Sequence, residues 1–275
     1  MAALALAVLF ALFLWWFSTG LIAWLDGLPR ATFGWSLLAI TGVSVAALYG
    51  IAATADDTSV AGAYCGFTSA LLIWGWHEAS FLMGLVTGPR RGPLPAGVRG
   101  FERFGMAVGV IAWHELAILA TAVIIAALTW DAPNQTALWT FLLLWVMRVS
   151  AKLNVFLGVR NLSEEFLPEH LRYLVSYLRR RPINMLFPVS VTGCTVAAYV
   201  LFAAAVDPAL APGAATACAL LGAMTALALL EHWFMVLPIS PSALWGWALG
   251  ARAGADAAKT EITRPGPDAT VREAA

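Results

Sequence analysis

The chain has 275 residues, 61% of them hydrophobic and 12% charged, with a mean hydropathy of +0.79 and a formal net charge of zero at pH 7. A soluble domain is nearer about a quarter charged, so this composition excludes an ordinary soluble globule and points to a polytopic membrane protein. Zero net charge excludes a generally basic nucleic-acid binder, and no nucleic-acid partner is expected.

Backbone polar groups in lipid must be satisfied internally, which leaves helices or closed barrels. The apolar runs are too long and too continuous for alternating barrel strands, so the expected fold is an all-α membrane bundle. Seven spans of ~20 residues or more are read in chain order. They cover 2–25, 35–54, 60–87, 104–129, 137–158, 185–205 and 214–237. The first has no basic flank and no small-residue cleavage site, so it reads as a span rather than a signal peptide. The third and fourth are long enough to tilt or protrude. The stretch 238–250 reads as an interfacial segment, and residues 251–275, rich in Ala, Gly, Pro and balanced charge, as a disordered cytoplasmic tail. Residues 1–250 thus form the bundle and 251–275 the tail.

Basic residues orient these spans. Arg30, the Arg90–Arg103 connection, the Arg160–Arg181 connection and the bases after span seven all fall on one set of alternate loops. The other set holds Asp56, Asp57, Asp131 and Asp207 and no Lys or Arg. The positive-inside rule then places the N-terminus outside and the C-terminus in the cytoplasm. Within the second basic connection, Leu167, Leu171, Leu174 and Leu178 recur at helical spacing, predicting a short amphipathic helix near 167–181 lying on the leaflet. The Arg179-Arg180-Arg181 run is expected to meet lipid phosphates. The Gly-Pro-rich loop at 88–93 cannot be a regular helix. Cys65, Cys194 and Cys218 form no CxxC pair and read as small buried hydrophobes.

The chemistry is concentrated. Three of the four histidines stand beside a glutamate inside apolar spans: His77-Glu78, His114-Glu115 and Glu231-His232. Span five carries Arg148 and Lys152, four apart and so on one helix face. Ionisable groups at membrane depth are costly and mark functional sites by default. Counting from the span ends, His77, His114 and Arg148 each lie ~15 Å from the cytoplasmic face, with the other members shallower in the same half. Adjacent residues are about 100° apart on a helix, so one member of each pair faces the centre and the other a neighbouring helix. Three carboxylates against two bases leave one negative charge to be met by a proton or a bound cation.

Four readings are open for this cluster: interhelical bonds that hold the bundle, a tetrapyrrole site with an axial histidine, a non-haem metal site, and a proton or ion path. Di-iron bundles use Glu-x-x-His, whereas here the residues are adjacent. No phosphate loop, HExxH or nucleophile triad is present.

Several blocks carry a resemblance. They are Trp-Trp-Phe-Ser-Thr-Gly (15–20), Trp-His-Glu-Ala-Ser-Phe-Leu-Met-Gly (76–84), Thr-Gly-Pro-Arg-Arg (87–91) and Trp-His-Glu-Leu-Ala (113–117). They continue through Arg-Val-Ser-Ala-Lys-Leu-Asn-Val-Phe-Leu-Gly-Val (148–159), Phe-Pro-Val-Ser-Val-Thr (187–192) and Glu-His-Trp-Phe-Met-Val-Leu-Pro (231–238). Together they resemble the PuhE-type photosynthetic complex assembly proteins of phototrophic bacteria. The resemblance implies an integral membrane factor that helps build the reaction centre and core light-harvesting complex. It implies reaction-centre or light-harvesting subunits, and pigment-biosynthesis proteins, as partners beside the membrane lipids. It also implies an influence on how bacteriochlorophyll or a precursor reaches those subunits, and it brings no settled ligand set. Joined to the cluster, the expectation is that His77, His114 or His232 ligates magnesium and Arg148 and Lys152 meet a propionate or phosphate. The glutamates would then orient the histidines, with Trp74, Trp76, Trp113 and Trp233 beside a macrocycle. The opposing expectations are a metal-dependent oxidase or cyclase using the same Glu and His groups, and an interaction scaffold whose cluster only fastens helices.

Overall fold

A computed structural model describes residues 2–239 and 241–249. The expected tail at 251–275 lies outside the described residues. The described residues are helical, without strands. The helices are α1 (Ala2–Asp26), α2 (Phe33–Ala53), α3 (Val60–Leu82), α4 (Gly100–Gly109), α5 (Ala112–Leu128), α6 (Thr136–Leu157), α7 (Leu186–Ala205) and α8 (Pro212–Phe234).

Five of these, α1, α2, α6, α7 and α8, are long and apolar enough to cross a membrane, and the bent pair α4–α5 makes a sixth. The chain is a multi-pass membrane bundle. α3 has comparable length, but Ser, Thr, His and Glu lower its hydropathy. Its position explains this. α3 packs against α1, α2, α5, α6 and α8, and twelve of its 23 residues are buried, so protein rather than lipid surrounds it. Gly66 lets it approach α6 closely: a Cβ there would stand 3.2 Å from the Ala137 amide.

The connections sort to two ends. At one, Asn134 donates to the Thr54 and Gly62 carbonyls at 3.0 and 3.1 Å, and Gly213 lies against the Thr58 carbonyl. At the other, Arg90 donates to the Tyr177 hydroxyl at 2.6 Å, Leu94 N–H donates to Ser176, and Phe33 meets His170. The basic connections therefore gather at one end and the acidic loops at the other. Among the described residues five helices, or six passages with α4–α5 taken as one, have the length and hydropathy of a span, and α3 runs among them.

Two places differ from the sequence expectation. The continuous span at 104–129 is broken, with α4 and α5 meeting at 63°. The cause is tertiary. The loop after α3 enters the break, where Thr87 carbonyl accepts from His114 N–H at 2.9 Å and Gly109 carbonyl from Arg90 N–H at 3.2 Å. Gly88 is pressed so close that a Cβ would lie 2.2 Å from Gly109 oxygen. The Gly-Pro loop is thus a wedge. The segment near 167–181 forms 3₁₀ turns over Glu169–Tyr177 rather than an α-helix. Its Leu171, Leu174 and Tyr177 are buried against Phe81 and Val110, at the end of the bundle. The stretch after α8 folds back on α1. Trp245 donates to Trp16 carbonyl at 2.9 Å, Trp16 donates to Leu244 carbonyl at 3.0 Å, and Trp15 and Trp245 meet edge to face.

Candidate functional site

One stretch of α6, from Trp145 to Lys152, receives polar groups from α3, α5 and α8. Trp145, Arg148 and Lys152 recur at helical spacing and share a face. Arg148 Nη2 donates to Glu78 Oε2 of α3 at 3.0 Å. Lys152 Nζ donates to Glu115 Oε1 of α5 at 2.5 Å, and Trp145 Nε1 donates to Glu115 Oε2 at 3.1 Å. Glu231 of α8 accepts from Trp15 Nε1 of α1 at 2.9 Å and lies in electrostatic range of Arg148. The adjacency of each His-Glu pair resolves as helix geometry requires. The glutamates reach partners on neighbouring helices, and the histidines turn inward, each only 1% exposed.

The histidines are packed. His77 and His114 stand edge to face with ring centroids 6.3 Å apart. His77 is further enclosed by Trp76 at 5.1 Å and Phe141 at 5.9 Å, and His114 by Phe81 at 4.7 Å. His77 Nε2 bonds Thr121 Oγ1 at 3.0 Å, and the Nδ1 atoms of His77 and His114 are buried with no partner.

His232 belongs to a polar chain. Its Nδ1 stands 2.7 Å from Ala228 carbonyl, which can only accept, so Nδ1 carries the proton. In that tautomer Nε2 accepts from Ser150 at 2.9 Å, and Ser150, its one proton spent, accepts from Ser190 at 3.0 Å. Asn154 in turn donates to Ser190 at 2.9 Å and to Ser150 carbonyl at 3.0 Å. The network bolts α6 to α7 and α8.

These contacts bear on each expected ligand. A macrocycle held on an axial histidine needs a free ring nitrogen facing open space. In this packing His232 has both nitrogens engaged, and His77 and His114 are enclosed by aromatic rings. The histidines do not fit an axial role here. Nor do the four tryptophans form one wall. Trp74 packs on Phe141, Trp76 donates to Thr41, Trp233 meets Phe187, and Trp113 is exposed. Among the described residues no group of three His, Cys, Asp or Glu side chains is placed to hold a metal ion. The glutamates that such a site would use are instead committed to Arg148, Lys152 and Trp15.

What remains open is charge. Midway along the spans, Arg148 keeps 42% of its side chain accessible, its Nε has no partner, and Glu78 Oε1 has none either. Glu231 is exposed. Sequence reasoning missed the partners Trp15, Thr121, Trp145 and Ser150. Only Trp145 carried a signal, three residues before Arg148 and seven before Lys152 on one face.

The chain belongs to the family described as "Protein of unknown function (DUF3623)", whose model matches residues 1–256. It is 43% identical over 248 residues to a protein of Rhodobacter capsulatus named "Uncharacterized 30.4 kDa protein in puhA 5'region". That match spans 89% of this chain and 90% of the relative. No solved structure matches.

Proposed function

We propose that this member of the family is a membrane assembly factor of the PuhE type, serving the reaction centre and core light-harvesting complex of a phototrophic bacterium. Its place is the inner or photosynthetic membrane. Two lines support the reading: the sequence blocks that resemble the assembly proteins, and a relative whose name sets it beside puhA in Rhodobacter capsulatus.

The observation that carries the mechanism is the exposure of the Arg148 side chain, midway along α6, and of Glu231, three residues before the end of α8. Lipid tails cannot satisfy such groups, so a partner with polar groups at membrane depth is their natural complement. In this reading the histidines and Ser150 hold the helices in register. The Glu78–Arg148–Glu231 patch meets the client: a subunit of the photosynthetic complex, or the polar edge of bacteriochlorophyll or a precursor on its way to one. The contact is polar and peripheral rather than axial ligation.

The test is complementation. A phototrophic host lacking the protein is supplied with wild type, Arg148→Ala or Glu231→Gln, and near-infrared absorption of reaction-centre and core antenna bands is recorded at matched protein level. Wild type restores the bands and the two variants do not. Full restoration by both variants overturns the patch, and unchanged bands in the deletion strain overturn the assembly role. Absorption of the chain purified from a pigment-producing host then assigns the client. A tetrapyrrole band lost in Arg148→Ala marks pigment, and a colourless wild type marks a protein subunit.

A further inference from the structure

A second site lies at the basic end, apart from the cluster. Arg160, Arg180, Arg181 and Pro182, all exposed, line a shallow, open depression of about 280 Å³ between the end of α6 and the start of α7. Its walls are fixed. Val159 is fully buried, its N–H donates to Arg179 carbonyl at 3.2 Å, and its carbonyl accepts from Arg181 N–H at 3.0 Å. This short parallel bridge sets the arginine run beside Arg160. Gly158 adopts φ +126°, and the Arg181 side chain lies across it, where a Cβ would come within 2.9 Å. Asn184 closes the corner by donating to Gly158 carbonyl at 3.0 Å.

The pocket is electrostatically incomplete. Glu164 accepts from Arg180 at 2.6 Å, and among the described residues no carboxylate forms an ion pair with Arg160 or Arg181, which leaves two positive charges at the depression. Guanidinium forks suit phosphate oxygens. The position selects the source of that phosphate. α6 and α7 are both candidate spans, so the pocket sits where a span ends, at headgroup level. Ile183 and Met185, just beyond Pro182, are exposed and apolar, with Met185 90% accessible. A ligand with a phosphate and an acyl chain matches both features.

We propose that this pocket is a discrete binding site for the headgroup of an anionic phospholipid, its acyl chains lying along Ile183 and Met185. General attraction of basic loops to a charged leaflet holds many lipids loosely, whereas a single site holds one.

The experiment is native mass spectrometry of the full chain in mild detergent, offered phosphatidylglycerol or phosphatidylcholine at equal concentration. One phosphatidylglycerol is retained in preference to phosphatidylcholine. Arg160→Gln with Arg181→Gln weakens retention about thirtyfold, taking on the order of 1 kcal/mol per arginine and tenfold per 1.4 kcal/mol. Arg99→Gln with Arg172→Gln, at exposed arginines outside the pocket, leaves it unchanged. Equal loss in both double variants, or equal retention of the two lipids, overturns the site. Displacement of the lipid by millimolar inorganic phosphate also overturns it, in favour of a free-anion site. Should the pocket double variant fail to fold, Arg160→Gln alone gives the same reading, because Arg160 is exposed and its loss removes no packing.

Discussion

Arg148 and Glu78, 70 residues apart in the chain, meet at 3.0 Å across the α3–α6 interface, and each retains a second polar atom without a partner. The pair therefore fastens two helices while leaving polar capacity unspent. Removing either charge strands the other at membrane depth, whereas removing both does not. In a double-mutant cycle, Glu78→Gln and Arg148→Met each lower the melting temperature in detergent, and the double variant recovers part of the loss. The coupling energy expected is about 0.5–3 kcal/mol. Strict additivity would show that the two groups do not depend on one another.

His232 is expected to matter for stability before anything else. Its replacement by Ala leaves Ser150 and the Ala228 carbonyl without their ring partner and opens a void. A loss of about 1–3 kcal/mol follows from the unsatisfied group alone. Thermal unfolding checks this, and a variant as stable as wild type would remove His232 from the α6–α7–α8 bolt.

Gly88→Ala tests the wedge. A methyl 2.2 Å from Gly109 oxygen cannot be absorbed without moving backbone. Overpacking of this kind costs about 1–3 kcal/mol. Gly105→Ala, with no heavy atom near the added carbon, is the control and leaves the melting point unchanged. Equal melting of both variants would mean that the loop does not hold the break.

Asp57 gives a pH dependence outside the spans. The Ser59 side chain and then its backbone amide, which donates at 2.9 Å, hold the Asp57 carboxyl below its ordinary value of 3.8. A depressed folded value stabilises above the unfolded one and is lost as pH falls through the folded one. Wild type should therefore melt slightly higher than Asp57→Asn at neutral pH, and the gap should close below pH 3.8. A gap that persists in acid would assign the effect to something other than ionisation.

Hydropathy made the helices legible because lipid imposes a single rule on composition, and α1, α2, α6, α7 and α8 follow it closely. Depth counting also brought His77, His114 and Arg148 to one level, since helical rise is constant. It could not show which side chain each would meet. The indole donors Trp15 and Trp145 look like ordinary apolar residues in a sequence, and only the folded helices aim them at Glu231 and Glu115. The break at residues 110–111 was invisible for a similar reason. The stretch Gly-Val-Ile-Ala is as apolar as its neighbours, and the bend comes from Thr87 and Arg90, remote in sequence. α3 shows the converse, a helix too polar for lipid that is made tolerable by being central.

The bend between α4 and α5 has a consequence for the bilayer itself. α5 alone has 17 residues and rises about 25 Å. α1 has 25 residues and rises about 37 Å. A hydrocarbon core is roughly 30 Å thick, so the flank at α5 falls short while the flank at α1 overshoots. Lipids beside α5 must compress and those beside α1 must stretch or let the helix lean. The protein thus presents unequal apolar lengths to the bilayer at α1 and at the α5 arm of the bent pair.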